Sequence, residues 1–128
     1  MKLLLDTHVF LWMNHSPEKL STRFLELCKQ AQDELYLSLV TPWEMQIKQQ
    51  IGKLKIASPI AEMLEKNQQI NRIQLLPIAL EHILALDQLP LHHGDPFDRL
   101  LIAQSMVENM ALVTADEKIR RYDVDVVW

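Results

Sequence analysis

Glycine and cysteine are scarce in this chain, and each shortage excludes a class of structure. The 128 residues include only two glycines, Gly52 and Gly94, so tight hairpins and glycine-rich phosphate-binding loops are nearly ruled out. The single cysteine, Cys28, excludes an internal disulfide, and no cysteine spacing typical of a metal site occurs. This cysteine usage is typical of proteins of the reducing cytosol.

Positive charge and long apolar runs are also lacking. The chain has 13 Lys and Arg against 17 Asp and Glu, with a net charge of −4, which argues against a broad basic face for nucleic acid. No stretch reaches transmembrane length, so we expect no membrane association. With 48% hydrophobic residues, the chain suits one domain around one core. We expect residues 1–128 to form a single soluble, cytoplasmic domain.

Strand-like and helix-like patterns alternate along the chain, which predicts an α/β fold with a central parallel sheet flanked by helices. The predicted strands are 2–5, 35–40, 73–76, 111–114 and 124–127. The predicted helices are 7–13, a segment from 16 or 21 to about 32, 41–51, one opened by 58–59, 78–86 and 96–108. Gly52 suits the left-handed position that ends the 41–51 helix.

Four acidic residues stand where these elements meet. Asp6 and Asp116 follow apolar strand-like runs, while Glu44 and Asp98 each complete a pattern of capping residue, proline, aromatic and acid. In an open α/β sheet such positions gather along one crevice at the carboxyl ends of the strands. Four carboxylates there repel one another unless a cation holds them. The pattern therefore indicates a divalent-metal site and hydrolysis of a phosphodiester.

Two of these acids also have a purely structural interpretation. Thr41 could be an N-cap with Glu44 as its capping-box partner, and Asp95 could be an N-cap with Asp98 favoured only by the helix dipole. The other two acids favour the metal site, because a carboxylate after a buried strand is desolvated without an evident partner. Taken together, the four favour a metal site over four separate caps.

Four segments carry a family resemblance, and they occur in the family's order. They are Leu3–His8, Trp43–Met45 with Lys48 and Gly52–Leu54, His92–Gln104, and Leu112–Asp116 with Tyr122 and the final Val-Val-Trp. The 92–104 block is highly specific, whereas the others are weak singly. Over nearly its whole length the chain resembles a PIN domain, and in particular the VapC-like ribonuclease toxins of bacterial toxin–antitoxin pairs.

The resemblance implies a Rossmann-like fold and a metal-dependent endoribonuclease. Position by position, the family's catalytic and metal-binding acids match Asp6, Glu44, Asp98 and Asp116, with Mg²⁺ or Mn²⁺ as the ion. Asp95 is an added acid that could cap the helix or face the ion with Asp98, because residues three apart share a helix face. Hard divalent ions take oxygen ligands and keep several waters, one of which becomes the nucleophile.

Three further residues are candidates for substrate binding: Lys48, Arg99 and Thr114. Lys48 lies one helical turn after Glu44 and could contact a phosphate, although an ion pair with Glu44 is favoured. Arg99 could bind a phosphate with its planar guanidinium group or pair with Asp95. Thr114 could hold a metal-bound water or an acid, or it could simply end a strand.

Three other functional classes compete with this one. A zinc site at the histidines of 82–93 with Asp95 is disfavoured, because adjacent histidines usually point apart and no paired histidine spacing on a helix accompanies them. An aspartyl phosphotransferase is disfavoured because His8 replaces the acid expected two residues after Asp6. A non-catalytic PIN-like RNA- or protein-binding module is the stronger alternative, although all four matched acids are present.

The toxin-like resemblance also implies protein partners. We expect a homodimer held inactive by a small VapB-like antitoxin that inserts an arginine or lysine among the acids. The antitoxin would carry this residue on an otherwise apolar segment. We expect that segment to pack on helix surfaces bearing residues such as Leu11, Trp12 or Ile47.

Overall fold

The central strand of the fold is the first strand of the chain. The computed structural model describes residues 1–128. Its strands are β1 (Lys2–Leu5), β2 (Glu34–Ser38), β3 (Gln74–Leu76), β4 (Ala111–Val113) and β5 (Val126–Val127). They form one sheet in the order β3-β2-β1-β4-β5, and every neighbouring pair is parallel. The strand order therefore reverses at β1, which opens a crevice at its carboxyl end.

Six helices connect these strands, so the predicted α/β architecture is confirmed. They are α1 (Thr7–His15), α2 (Thr22–Cys28), α3 (Val40–Gln50), α4 (Ile60–Ile70), α5 (Leu80–Ala85) and α6 (Pro96–Glu108). Short 3₁₀ turns occupy Pro17–Lys19, Leu86–Gln88 and Ile119–Arg121. None of the helices combines the length and the apolar character needed to cross a membrane.

The sheet is buried on both faces, as its central strand shows. Leu3 and Leu5 belong to a cluster of 13 buried residues, whereas Leu4 belongs to a second cluster of 12. This division follows from the two-residue period of a strand, which sends alternate side chains to opposite faces. The first cluster includes Phe10 of α1 and the second includes Leu101 of α6. Helices on both faces are thus anchored to the strand that ends in the crevice.

Several predicted boundaries need correction. The predicted helix from 16 or 21 to about 32 is divided into a 3₁₀ turn and α2, which begins after Ser21 because the Ser21 hydroxyl accepts a hydrogen bond from the Phe24 N–H. Helix α3 begins at Val40 instead of Thr41, after the Ser38 hydroxyl has accepted a hydrogen bond from the Val40 N–H. Gly52 has a φ of 76°, so its predicted left-handed conformation is confirmed.

Candidate active site

Asp6 lies at the end of β1, where it also begins α1. Its Oδ1 accepts a hydrogen bond of 2.7 Å from the Val9 N–H, so Asp6 is the N-cap of α1. The prediction that this acid lacks a local partner was therefore wrong, because the end of the strand is also the start of the helix. The residue is only 4% exposed. Burial raises the pKa of Asp6, against the opposing effect of hydrogen bonds from the Thr114 hydroxyl and the Val9 N–H.

Glu44 projects from α3 and is held on both carboxylate oxygens. The Thr7 hydroxyl donates to Oε1 at 2.7 Å, and the Lys48 ammonium contacts Oε2 at 2.6 Å. The ion pair predicted between Lys48 and Glu44 is confirmed. The capping box of Thr41 with Glu44 does not form, because Thr41 lies inside the helix and its hydroxyl is 3.1 Å from that of Thr7. Since Thr7 gives its proton to Glu44, the Thr41 hydroxyl donates to Thr7.

Asp95 and Asp98, three residues apart at the start of α6, have different roles. Asp95 Oδ1 accepts hydrogen bonds from the N–H groups of Phe97 and Asp98 at 2.9 and 3.1 Å, so its predicted role as an N-cap is confirmed. Asp98 Oδ2 lies 3.3 Å from His93 Nε2. Burial, followed by the charge of Asp95, raises the pKa of Asp98 from 3.8 to about 6, although the His93 hydrogen bond opposes this.

Thr114 connects the two acids that follow strands. Its hydroxyl oxygen accepts a hydrogen bond of 3.0 Å from the Asp116 N–H, and the same hydroxyl lowers the pKa of Asp6 by hydrogen bonding. Of the predicted roles of Thr114, that of holding an acid is therefore confirmed. The prediction that Thr114 binds substrate needs correction, because Thr114 is 0% exposed and cannot contact substrate directly.

The charges of five acids act on one another, and we call these residues the acid cluster: Asp6, Glu44, Asp95, Asp98 and Asp116. The charges of Glu44 and Asp6, together with that of Asp95, raise the pKa of Asp98. The charge of Asp116 in turn raises the pKa of Asp6. The pKa of Lys48 is raised first by its hydrogen bond to Glu44 and also by the charges of Asp95 and Asp98. The crevice therefore holds an excess of negative charge, with Lys48 at one side.

The acid cluster fits a hard divalent ion by its chemistry. No three His, Cys, Asp or Glu side chains are arranged so that together they could hold one ion. Mg²⁺ commonly takes only one or two carboxylates and completes its coordination with water, so three converging ligands are not required. Asp98 Oδ1 and Asp116 Oδ2 accept no hydrogen bond within the protein, whereas both Glu44 oxygens are engaged. The free oxygens are therefore those of the aspartates.

A groove beside α1 reaches two members of the acid cluster, Asp6 and Asp116. The groove has a volume of about 240 Å³, and its lining residues are Asp6, His8, Trp12, Ala115 and Asp116. A larger cavity of about 400 Å³ lies elsewhere, lined by residues that include Cys28, Asp33 and Arg72, and none of the acid cluster borders it. The larger cavity is therefore not the candidate site, since Asp6 and Asp116 line the smaller opening.

Arg99 holds the loop that precedes α6. Its guanidinium group donates to the carbonyl oxygens of Pro90 and Leu89 at 2.9 and 3.4 Å and to the Tyr122 hydroxyl at 3.1 Å. The alternative ion pair with Asp95 is not formed. Contact of Arg99 with a phosphate stays a prediction, and so does contact of Lys48 with a phosphate. Each would require the side chain to leave, or share, the partners it has here.

Three residues of the site were not predicted from the sequence: Thr7, Thr41 and His93. Each supports an acid of the cluster, either directly or through a neighbour. Thr7 contacts Glu44, Thr41 contacts Thr7, and His93 contacts Asp98. His93 lies in the family-like 92–104 block and in the pair His92–His93, but neither signal indicated its contact with Asp98.

A parallel sheet whose order reverses at β1, with an acid cluster at that reversal, defines the class of this protein. The PIN domain model matches residues 3–125, and the chain belongs to the PIN domain family. It is 27% identical over 122 residues to Ribonuclease VapC22 of Mycobacterium tuberculosis, a match that covers 94% of this chain and 91% of that protein.

Solved structures give the same fold. VapBC2 from Rickettsia felis, bound to a DNA fragment from its promoter, matches with a TM-score of 0.74 at 18% identity over 99% of this chain and 98% of that one. DNA-bound VapBC from Salmonella typhimurium matches with a TM-score of 0.66 at 16% identity over 99% and 97% of the two chains. The predicted PIN-like fold is thus confirmed.

Proposed function

We propose that this protein is a Mg²⁺- or Mn²⁺-dependent endoribonuclease that acts in the cytoplasm as the toxin of a toxin–antitoxin pair. The observation that carries the proposal is the acid cluster, in which four matched acids, one after β1, one in α3, one in α6 and one after β4, lie close enough for their charges to act on one another. The rise of the Asp98 pKa to about 6 supports this, because it reflects burial among like charges that a cation would relieve. The relative named Ribonuclease VapC22 supports the same reaction.

Ribonucleases of this family depend in general on a divalent metal ion. Here one or two of the aspartates Asp6, Asp98 and Asp116 would hold the ion, with water completing its coordination, and Asp95 could add its second oxygen because only Oδ1 caps α6. Glu44 would join them only by sharing its contact with Lys48. When bound, the ion would supply Lewis-acid activation for hydrolysis of an RNA phosphodiester.

The protein's own groups would orient this chemistry. Thr7 and Lys48 hold the Glu44 carboxylate, and the Thr114 hydroxyl hydrogen-bonds to both Asp6 and Asp116. The Lys48 side chain is 36% exposed, so its ammonium group could turn from Glu44 towards a phosphate of the substrate. The open groove beside α1 would admit an RNA strand. Residues 1–128 would act together as one PIN unit.

A variant at Asp6 tests the proposed reaction. Asp6→Asn keeps the shape of the side chain and caps a helix well, so the fold should remain while a charged ligand is lost. We expect RNA cleavage to be abolished and the melting temperature to be nearly unchanged. Asp87→Asn is the matched control, since Asp87 is exposed in a 3₁₀ turn away from the acid cluster. Undiminished cleavage by folded Asp6→Asn protein would refute the proposal.

A second candidate function is that of a non-catalytic PIN-like module that binds RNA or protein. The contact of Lys48 with Glu44 favours it, because an ammonium group already neutralises one acid of the cluster. This candidate predicts that Mn²⁺ binds without any cleavage of RNA. A metal titration followed by a nuclease assay separates the two.

The proposed antitoxin would compete with the metal. The structural neighbours named VapBC are toxin–antitoxin complexes, and we propose that this chain likewise forms a homodimer bound by a small partner. A basic residue of that partner would occupy the position of the cation among the acids. Its affinity should therefore fall as the metal concentration rises.

A further inference from the structure

A chain of hydrogen bonds runs from the back of the site to Asp98. Arg99 donates to the Tyr122 hydroxyl at 3.1 Å, that hydroxyl lies 2.8 Å from His93 Nδ1, and His93 Nε2 lies 3.3 Å from Asp98 Oδ2. We call the three residues Arg99, Tyr122 and His93 the relay. They come from α6, from the segment after the last 3₁₀ turn and from the loop before α6, so the relay joins three separate parts of the chain.

The donors around the Tyr122 hydroxyl determine where its proton lies. The oxygen accepts from the backbone N–H of His93 at 3.2 Å and from Arg99 at 3.1 Å, which uses both of its lone pairs. Its own proton must then go to an acceptor. His93 Nδ1 at 2.8 Å is closer than the His93 carbonyl oxygen at 3.5 Å. The geometry therefore makes Nδ1 an acceptor and leaves the ring proton on Nε2, where it donates to Asp98.

The relay is shielded, so its geometry is held in place. Tyr122 is 4% exposed and the His93 side chain is 12% exposed. The ring of His92 packs edge-on against Tyr122 with 4.8 Å between centroids, and the Arg99 guanidinium lies 6.0 Å from the same ring. Because little water reaches these groups, the hydrogen bond to Asp98 has few competitors.

We propose that His93 is a positioning residue that holds Oδ2 of Asp98 and turns Oδ1 towards the ion and substrate. The proposal rests on the proposed function, because Asp98 must bind the ion for its orientation to matter. Tyr122 fixes the tautomer of His93, and Arg99 fixes Tyr122 and the loop. Groups that orient a metal-binding side chain in this way commonly affect metal affinity or activity by about 10- to 100-fold.

Two amide substitutions test the position of the donor. In His93→Gln the amide nitrogen takes the place of Nε2 and can still reach Asp98, whereas in His93→Asn it reaches only the place of Nδ1. We expect His93→Gln to keep Mn²⁺ affinity and kcat within about threefold, and we expect His93→Asn and His93→Ala to lose about 10-fold or more. The KM for RNA should change little, because His93 does not contact the substrate.

His15→Ala is the control, because His15 is exposed at the end of α1 and contacts neither the relay nor an acid. We expect its Mn²⁺ affinity and cleavage to equal those of the wild type. Melting temperatures of all variants show whether a loss is due to unfolding. Equal losses in His93→Gln and His93→Ala at equal stability would overturn the proposal, and so would full retention in His93→Ala.

The tautomer of His93 is measurable without metal or RNA. Long-range ¹H–¹⁵N NMR spectra of the metal-free protein should show the proton on Nε2, and in Tyr122→Phe this preference should be lost. A proton on Nδ1 in the wild type would overturn the proposal. If the wild type shows the expected tautomer and binds Mn²⁺ but cleaves no RNA, the proposed function fails. The role of His93 is then decided by the Mn²⁺ affinities of its variants.

Discussion

Asp98 binds its proton more tightly in the folded protein than an ordinary aspartate does. Burial, followed by the charge of Asp95, raises its pKa from 3.8 to about 6. A raised pKa in the folded state means that this group contributes stability fully below about pH 4 and loses that contribution as the pH rises through 6. At neutral pH, without metal, the ionised carboxylate of Asp98 therefore destabilises the fold.

Asp98→Asn should accordingly stabilise the metal-free protein at pH 7. We expect a gain of about 1–2 kcal/mol in the free energy of unfolding, since asparagine removes the charge but still accepts the His93 hydrogen bond. The gain should vanish near pH 4. Urea unfolding in the presence of EDTA measures it, and Mn²⁺ should then stabilise only the wild type. If metal-free Asp98→Asn is less stable than the metal-free wild type at pH 7, the ionised Asp98 carboxylate does not destabilise the fold.

Asp95 should tolerate substitution by a residue that caps helices. Asp95→Ser should keep the melting temperature and much of the activity, because serine caps as well as aspartate does. Asp95→Ala should lose about 1 kcal/mol of stability by leaving the first turn of α6 without its cap. Thermal unfolding and RNA cleavage of both variants measure this. If Asp95→Ser loses activity as fully as Asp98→Asn, Asp95 is a ligand as much as a cap.

The acids themselves could be predicted from the sequence, but most of their contacts could not. Asp6 and Asp98 stand in short patterns that mark the junction of a strand or loop with a helix, and such patterns are local. The contact of Thr7 with Glu44 spans 37 residues, and that of His93 with Tyr122 spans 29. No periodicity or spacing encodes contacts that depend on how distant elements pack.

Where the sequence marks both the start and the end of an element, its first and last residues were predicted correctly. Helix α6 has an Asp-Pro start and ends before Asn109, which adopts a left-handed conformation with a φ of 54°. Helix α3 was misplaced by one residue, because the hydroxyl of Ser38 satisfies the first turn before Thr41 is reached. The late strands are shorter than predicted, because the apolar run Ala111–Val113 gives way to Thr114, whose hydroxyl bonds the turn that follows.

The end of α3 provides a test of backbone conformation at the scale of one element. Gly52 has a φ of 76°, and a Cβ added to it would meet only open space, so Gly52→Ala should cost only backbone strain, about 1 kcal/mol. Gly94→Ala is the matched control, since Gly94 has equally open surroundings but no positive φ. We expect its stability to change by less than about 0.5 kcal/mol. If urea unfolding shows equal losses of stability in Gly52→Ala and Gly94→Ala, the loss at Gly52 does not come from its positive φ.

For the whole molecule, the toxin proposal predicts an effect on growing cells. Expression without its partner should arrest bacterial growth, whereas expression of Asp6→Asn at the same level should not, because the loss of a ligand stops RNA cleavage. Growth curves with matched protein levels measure this. Wild-type protein that is harmless at good yield and purifies as a monomer without a small companion would refute the toxin proposal, even if the nuclease proposal survives.

The crevice takes its acids from both sides of the strand reversal, and this has a consequence for a protein that is still being translated. Asp6 and β1 are made first, whereas Thr114, Asp116 and Tyr122 follow only after α6 and β4. A nascent chain on the ribosome therefore lacks part of the acid cluster and the middle of the relay. We expect such a chain to leave its own messenger RNA uncut, because Asp6 and Asp116 come together only when β4 pairs with β1.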